Sequence, residues 1–231
     1  MRNGCDKMLE IELVNNINNY LEDKGIKFSN ELRMGIGIPD ISLNIGASQY
    51  LKPINDYFLL SIFNFINKRK IVSFTEIKNE FLLTFNKVKY YLMKLADMSL
   101  VEIKNELVRI IKNISSTNLG ITISIEAKLK DWKGAGLQAQ RYLCFSDYSY
   151  IAMPCGYIKN IDTSFFEETG IGILSIDGKR IEEILPAKKS KECEFTLKYI
   201  LTSKIVEKYG VIKKKHLKPN VFTPYVLSKN S

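Results

Sequence analysis

The stretch ISIEAKLKDWKGAGLQAQRYLCFSDYSYIAMP, residues 123–154, reads as strand, helix, strand. Its opening segment is apolar and carries Glu126 and Lys128 two positions apart. A strand repeats every two residues, so this spacing puts both polar groups on one face. An acid and a lysine at the end of an otherwise buried strand are costly unless they pair, bind a metal or do chemistry. In the helical stretch that follows, Gln138 and Tyr142 are four apart and share one helical face. The apolar run YSYIAMP then predicts a second strand.

Working outward, an upstream acid stands in RMGIGIPDISLNI as Pro39-Asp40. Ile41, Leu43 and Ile45 alternate behind it and predict a strand whose apolar face points away from Asp40. Residues 26–34 and 38–45 predict two strands joined at Gly35-Ile36-Gly37. Before them, Leu9, Leu13, Ile17 and Leu21 recur every four residues, the buried stripe of a helix over residues 8–24, with Gly25 as its C-cap. By residue type alone the same groups have plainer readings. Pro-Asp is a common turn pair, Glu126 and Lys128 suit a solvent-facing ion pair, and Trp132 suits packing.

Asp40 and Glu126 are 86 positions apart, and the chain between them has its own organisation. Residues 56–68 predict an apolar helix. Ser73 and Glu76 match a capping box opening a short helix to about Phe81. Thr84 caps a third helix over FNKVKYYLMKLADM. LVEIK, Asn105-Glu106 and LVRII then read as strand, turn, strand. Residues 112–119 are a polar linker. Further on, GIGILSIDG predicts another strand and residues 190–209 a helix with Phe195, Ile200 and Ile205 on its apolar side.

The order Pro39-Asp40, Glu126-Ala127-Lys128, Gln138-x-x-x-Tyr142 resembles the PD-(D/E)XK nuclease superfamily, the restriction-endonuclease-like fold. The helix–helix–helix–hairpin segment resembles a winged helix-turn-helix. Together these resemblances imply an α/β fold, a mixed sheet flanked by helices and interrupted by a winged-helix insertion. The nuclease-like core would be discontinuous, residues 1–52 and 116–231, with the insertion at 53–115. The resemblance further implies a metal-dependent nuclease acting on DNA, with Asp40, Glu126, Lys128, Gln138 and Tyr142 as catalytic residues. Mg²⁺ or Mn²⁺ would be held by Asp40, Glu126, the Ala127 carbonyl and Glu12, with Glu10 and Glu31 as alternatives to Glu12. Asn86, Lys87, Lys89, Tyr90 and Lys94 on the third helix, and Lys104 and Arg109 at the wing, would contact double-stranded DNA. The resemblance allows a homodimer and suits restriction, phage defence, mobile-element or repair biology. Its rivals are a non-catalytic DNA-binding regulator on a nuclease-like scaffold and an interaction subunit.

Bulk properties agree with a polyanionic partner. The 231-residue chain carries 34 Lys and Arg against 25 Asp and Glu, a formal charge of +9. Many lysine-rich proteins are basic without binding DNA, so charge alone decides nothing. Cys5, Cys144, Cys155 and Cys193 have no C-x-x-C spacing, which argues against structural zinc and for reduced thiols in a cytoplasmic protein. The single histidine, His216, leaves no basis for a histidine triad or a histidine-ligated metal. Asp6, Glu10 and Glu12 interrupt any signal-peptide pattern, and no apolar run is long enough to span a membrane.

Overall fold

A computed structural model describes residues 9–48, 50–209 and 221–224. Cys5, His216 and the run Lys213, Lys214, Lys215 lie outside the described residues. In chain order the elements are α1 (Glu10–Asp23), β1 (Lys27–Asn30), β2 (Ile41–Ile45), α2 (Tyr57–Arg69) and β3 (Ile71–Ser73). Then come α3 (Phe74–Glu80), α4 (Phe85–Asp97), β4 (Val101–Lys104), β5 (Leu107–Ile110), β6 (Ile121–Ala127) and α5 (Trp132–Tyr142). The chain continues through β7 (Tyr148–Pro154), α6 (Ser164–Thr169), β8 (Gly172–Asp177), β9 (Arg180–Leu185), α7 (Phe195–Tyr209) and the two-residue β10 (Thr223–Pro224). The fold is α/β. A mixed sheet runs β1-β2-β6-β7-β8-β9-β10, and a second, three-stranded sheet runs β3-β5-β4.

The central strands β6, β7 and β8 are parallel to one another, while β1, β2 and β9 pair antiparallel with their neighbours. One face of the sheet is apolar: Ile41, Leu43, Ile123 and Ile125 pack under Leu13, Ile17 and Leu21 of α1. Three of the four expected stripe residues form the buried face of α1; Leu9 stands just before the helix and is exposed, and Gly25 follows the helix with φ +66°. The other face, under α5 and α7, carries a polar seam. Asp147 Oδ2 accepts from the Thr122 N–H at 2.8 Å and pairs with Lys198 Nζ at 2.7 Å, both ions being about 4% exposed. Asn44 Nδ2 donates to the Leu119 carbonyl at 2.7 Å.

Several boundaries differ from the sequence reading. The two early strands are shorter than 26–34 and 38–45, because Glu31 turns out of the strand with φ +50° and Pro39 cannot donate to a ladder. The last long helix starts at Phe195, not at residue 190. The short strands β3 and β9 and the helix α6 were not anticipated; three residues of β3 carry too little alternation to register as a strand.

The segment between β2 and β6 is a large excursion from one antiparallel pair. Ile45, the last residue of β2, is the register partner of Ile121, the first of β6. The excursion leaves and returns at adjacent points. Inside it, the Ser73–Glu76 capping box and the Thr84 cap both form. Asn105 and Glu106 take φ +50° and +59°, the paired left-handed conformation of a tight hairpin turn. The excursion does not hang free. Leu60, Phe63 and Ile66 of α2 join Tyr199, Leu201 and Ile205 of α7 in one apolar cluster, with the Phe63 and Tyr199 rings 6.2 Å apart. Among the described residues no helix is long and apolar enough to cross a membrane.

The seam gives a test of the packing. Lys198→Met strips Asp147 of its ion partner in a buried setting and should cost about 3 kcal/mol or more. The urea midpoint of unfolding measures it, and a loss below about 1 kcal/mol would contradict the burial of this pair.

Candidate active site

The β2–β6 register assembles the site. Ile41 pairs with Ile125, so the next position on each strand puts Asp40 beside Glu126, on one face of the sheet. One step further, the position opposite Ala127 falls on Pro39, which has no N–H. The Asp40 carboxylate takes over the ladder's role: its Oδ2 accepts the Ala127 N–H at 2.7 Å. The Ala127 carbonyl is left without a strand donor opposite it. Asp40 Oδ1 has no hydrogen bond among the described residues.

Glu126 is the most enclosed member, 2% exposed. Its Oε2 accepts from the Tyr142 hydroxyl at 2.6 Å and its Oε1 meets Lys128 Nζ at 3.0 Å. Lys128 bridges onward to Glu10 Oε1 at 2.9 Å. The Tyr142 oxygen also lies 3.2 Å from the Ile38 carbonyl, so the helix is stitched to the loop before Asp40. Gly37 is required there, because a Cβ on it would stand 2.7 Å from the Tyr142 ring. Burial raises the Asp40 carboxyl above its ordinary value, against the Ala127 N–H and Lys128, which lower it. Burial likewise raises Glu126; the Tyr142 hydrogen bond opposes this and the Asp40 charge adds to it. For Lys128, burial works against the charge, but hydrogen bonds to Glu10 and Glu126 outweigh it and hold the ammonium above its usual value.

Asp40, Glu126, Lys128 and Tyr142 therefore meet in one place. Gln138 lies one helical turn before Tyr142, half-buried, and makes no side-chain hydrogen bond to any described residue. Glu12 does not reach the group: its carboxylate accepts the Leu9 N–H at 2.9 Å and closes the start of α1. Glu10 occupies that place instead. Glu31 is exposed, and its charge still adds to the Asp40 shift. Both Glu10 and Glu12 sit in the first turn of α1, so their spacing alone does not say which one caps and which one reaches over the sheet end.

Could the residues hold a divalent cation? Among the described residues no three Asp, Glu, His or Cys side chains form a ready-made cage. Mg²⁺, however, is usually held by one or two carboxylates, with waters and substrate phosphate completing its shell. Two adjacent carboxylates of raised proton affinity, one oxygen without a hydrogen bond and one carbonyl that lacks a strand donor make a hard, all-oxygen donor set of that kind.

In the inserted segment, Asn86, Lys87, Lys89 and Tyr90 are exposed on α4 and Lys94 lies 4.4 Å from the Tyr90 ring centroid. Lys104 and Arg109 are exposed on the β4–β5 hairpin. The sequence reading missed how apolar this surface is: Leu82 is 92% exposed and Phe85 and Met93 are nearly half exposed.

Comparison of the chain with protein-family models, with curated proteins and with solved structures finds no match.

The raised carboxyls carry a stability consequence. The folded chain holds the Asp40 proton more tightly than the unfolded chain, so this group costs stability as pH rises through its raised titration range. Asp40→Asn keeps an oxygen for the Ala127 N–H and removes that cost. At pH 7 it should melt higher than wild type, with the gap closing as pH falls through the carboxyl's titration range. Scanning calorimetry across pH reads this; a variant that melts lower at every pH contradicts it.

Proposed function

We propose that the chain is a metal-dependent nuclease that hydrolyses phosphodiester bonds in DNA, on a restriction-endonuclease-like core with an inserted winged helix. The observation that carries this reading is the meeting of Asp40, Glu126 and Lys128, drawn from segments far apart in sequence, beside the hydroxyl of Tyr142. The β2–β6 register supports the reading, because it sets the acid of Pro39-Asp40 beside the Glu126-Ala127-Lys128 strand end. Inside the excursion, the strand order β3-β5-β4 around three helices supports the winged-helix reading.

Asp40, Glu126 and the Ala127 carbonyl would hold Mg²⁺ or Mn²⁺, which when bound supplies charge for the phosphoryl oxygens and lowers the pKa of water. The chain's own groups do the rest. Tyr142 fixes one Glu126 oxygen, so the carboxylate keeps its orientation. Lys128 offers the positive charge that a pentavalent phosphorus demands. Its ammonium is shared between Glu10 and Glu126, so substrate phosphate must compete with Glu10 for it. Gln138 adds an uncommitted amide on the Tyr142 face for a phosphate oxygen. On α4, Asn86 and Tyr90 form the outward crest, with Lys87, Lys89 and Lys94 on its flanks, an arrangement suited to phosphates on either side of a groove.

Plasmid and linear DNA with Mg²⁺ or Mn²⁺ test the chemistry. Wild type should cleave, and Glu126→Ala and Lys128→Ala should each lose about 100-fold or more in rate. Binding without cleavage under either metal would support the regulator instead. Lys87→Ala with Lys89→Ala should weaken duplex binding and reduce the slope of log affinity against log salt by about 1–2. An unchanged slope would remove α4 from the DNA.

A further inference from the structure

The loop before Asp40 is both rigid and, at its tip, apolar. Its residues Leu32 and Met34 pack into the main cluster, and the Met34 N–H closes a turn onto the Gly37 carbonyl at 3.1 Å. Gly37 lies against the Tyr142 ring, and the Ile38 carbonyl is 3.2 Å from the Tyr142 hydroxyl that holds Glu126. Ile36 and Ile38 are nonetheless 48% and 49% exposed. A lone exposed isoleucine is ordinary. Two on a pinned tip, four and two residues before Asp40, are not placed at random with respect to the site. Two residues of chain span at most about 7 Å, roughly one nucleotide step along a strand.

We infer that Ile36 and Ile38 form an aliphatic wedge that enters the base stack beside the scissile phosphate, and that the preferred substrate is a duplex whose stack is already open there, at a nick, bulge or mismatch. This rests on the nuclease reading, because a phosphodiester seated on Asp40 and Glu126 brings its neighbouring bases onto these two side chains. Aliphatic residues inserted between base steps unstack them at a cost of a few kcal/mol per step, a cost a pre-opened step largely avoids. The loop is tied through Tyr142 to the carboxylate it serves, so the wedge and the reacting groups keep a fixed spacing. A nucleic acid is favoured over a protein partner because the tip is joined through the Ile38 carbonyl and the Tyr142 hydroxyl to a carboxylate that would serve a phosphodiester.

The test uses the full chain and duplexes carrying 2-aminopurine at the scissile step, with Ca²⁺ in place of Mg²⁺ so that binding is read without turnover. Saturating wild type should raise the fluorescence several-fold. Ile36→Ser with Ile38→Ser should abolish most of that rise. In Mg²⁺ the same variant should lose about tenfold in kcat/KM on continuous duplex and less than about threefold on the bulged duplex. Ile36→Met with Ile38→Met should keep both properties, which separates loss of the wedge from loss of folding. Saturable binding and cleavage by wild type without a fluorescence rise overturns the wedge alone. Absence of both binding and cleavage overturns the nuclease reading with it. A change in sedimentation of the serine variant, with DNA behaviour unaltered, assigns the tip to contact between copies and overturns the wedge.

Discussion

Two carboxylates forced side by side at the end of a sheet repel each other, and the architecture around them exists under that constraint. The β2–β6 register makes Asp40 and Glu126 neighbours, and burial compounds the cost. Each is restrained separately, Asp40 by the Ala127 N–H and Glu126 by Tyr142 and Lys128. The pairing costs stability that an amide or an apolar residue at either position would not cost. Pro39 is part of the same arrangement. It has no N–H to give the Ala127 carbonyl opposite it, while the Ala127 N–H is taken by the Asp40 carboxylate.

The two faces of the sheet divide the labour. The α1 face is a conventional apolar layer. The opposite face mixes apolar packing with a buried ion pair and hydroxyl and amide contacts that tie α7 to Asn44 of β2, to the Leu119 carbonyl and, through Asp147, to Thr122 of β6. Directional bonds fix the position of α7 more narrowly than apolar contact would. Since α7 also forms the floor on which α2 packs, the inserted module inherits that positioning.

Much of this was legible in the chain. The stripe on α1, the capping box at Ser73 and the Glu-x-Lys spacing each obey a local rule, and local rules survive folding. The site group was legible through the order of its motifs, not through any one of them. What stayed hidden depends on contacts between distant segments. The Asp147–Lys198 pair joins residues whose neighbours give no sign of each other. The exchange of roles between Glu10 and Glu12 turns on which one caps a helix, a choice made by the Leu9 N–H and by the reach of Lys128. Ile38 read as the first residue of a strand and Ile36 as part of the turn before it, yet Glu31 and Gly35 take the backbone out of the sheet and the second strand opens only at Ile41.

The adjacency of Ile45 and Ile121 has an architectural consequence. A segment whose two ends occupy neighbouring points on one antiparallel pair adds its helices and hairpin without breaking a strand of the main sheet. Under the proposed function, target choice and bond cleavage would then sit in separate parts of the chain that meet at one junction.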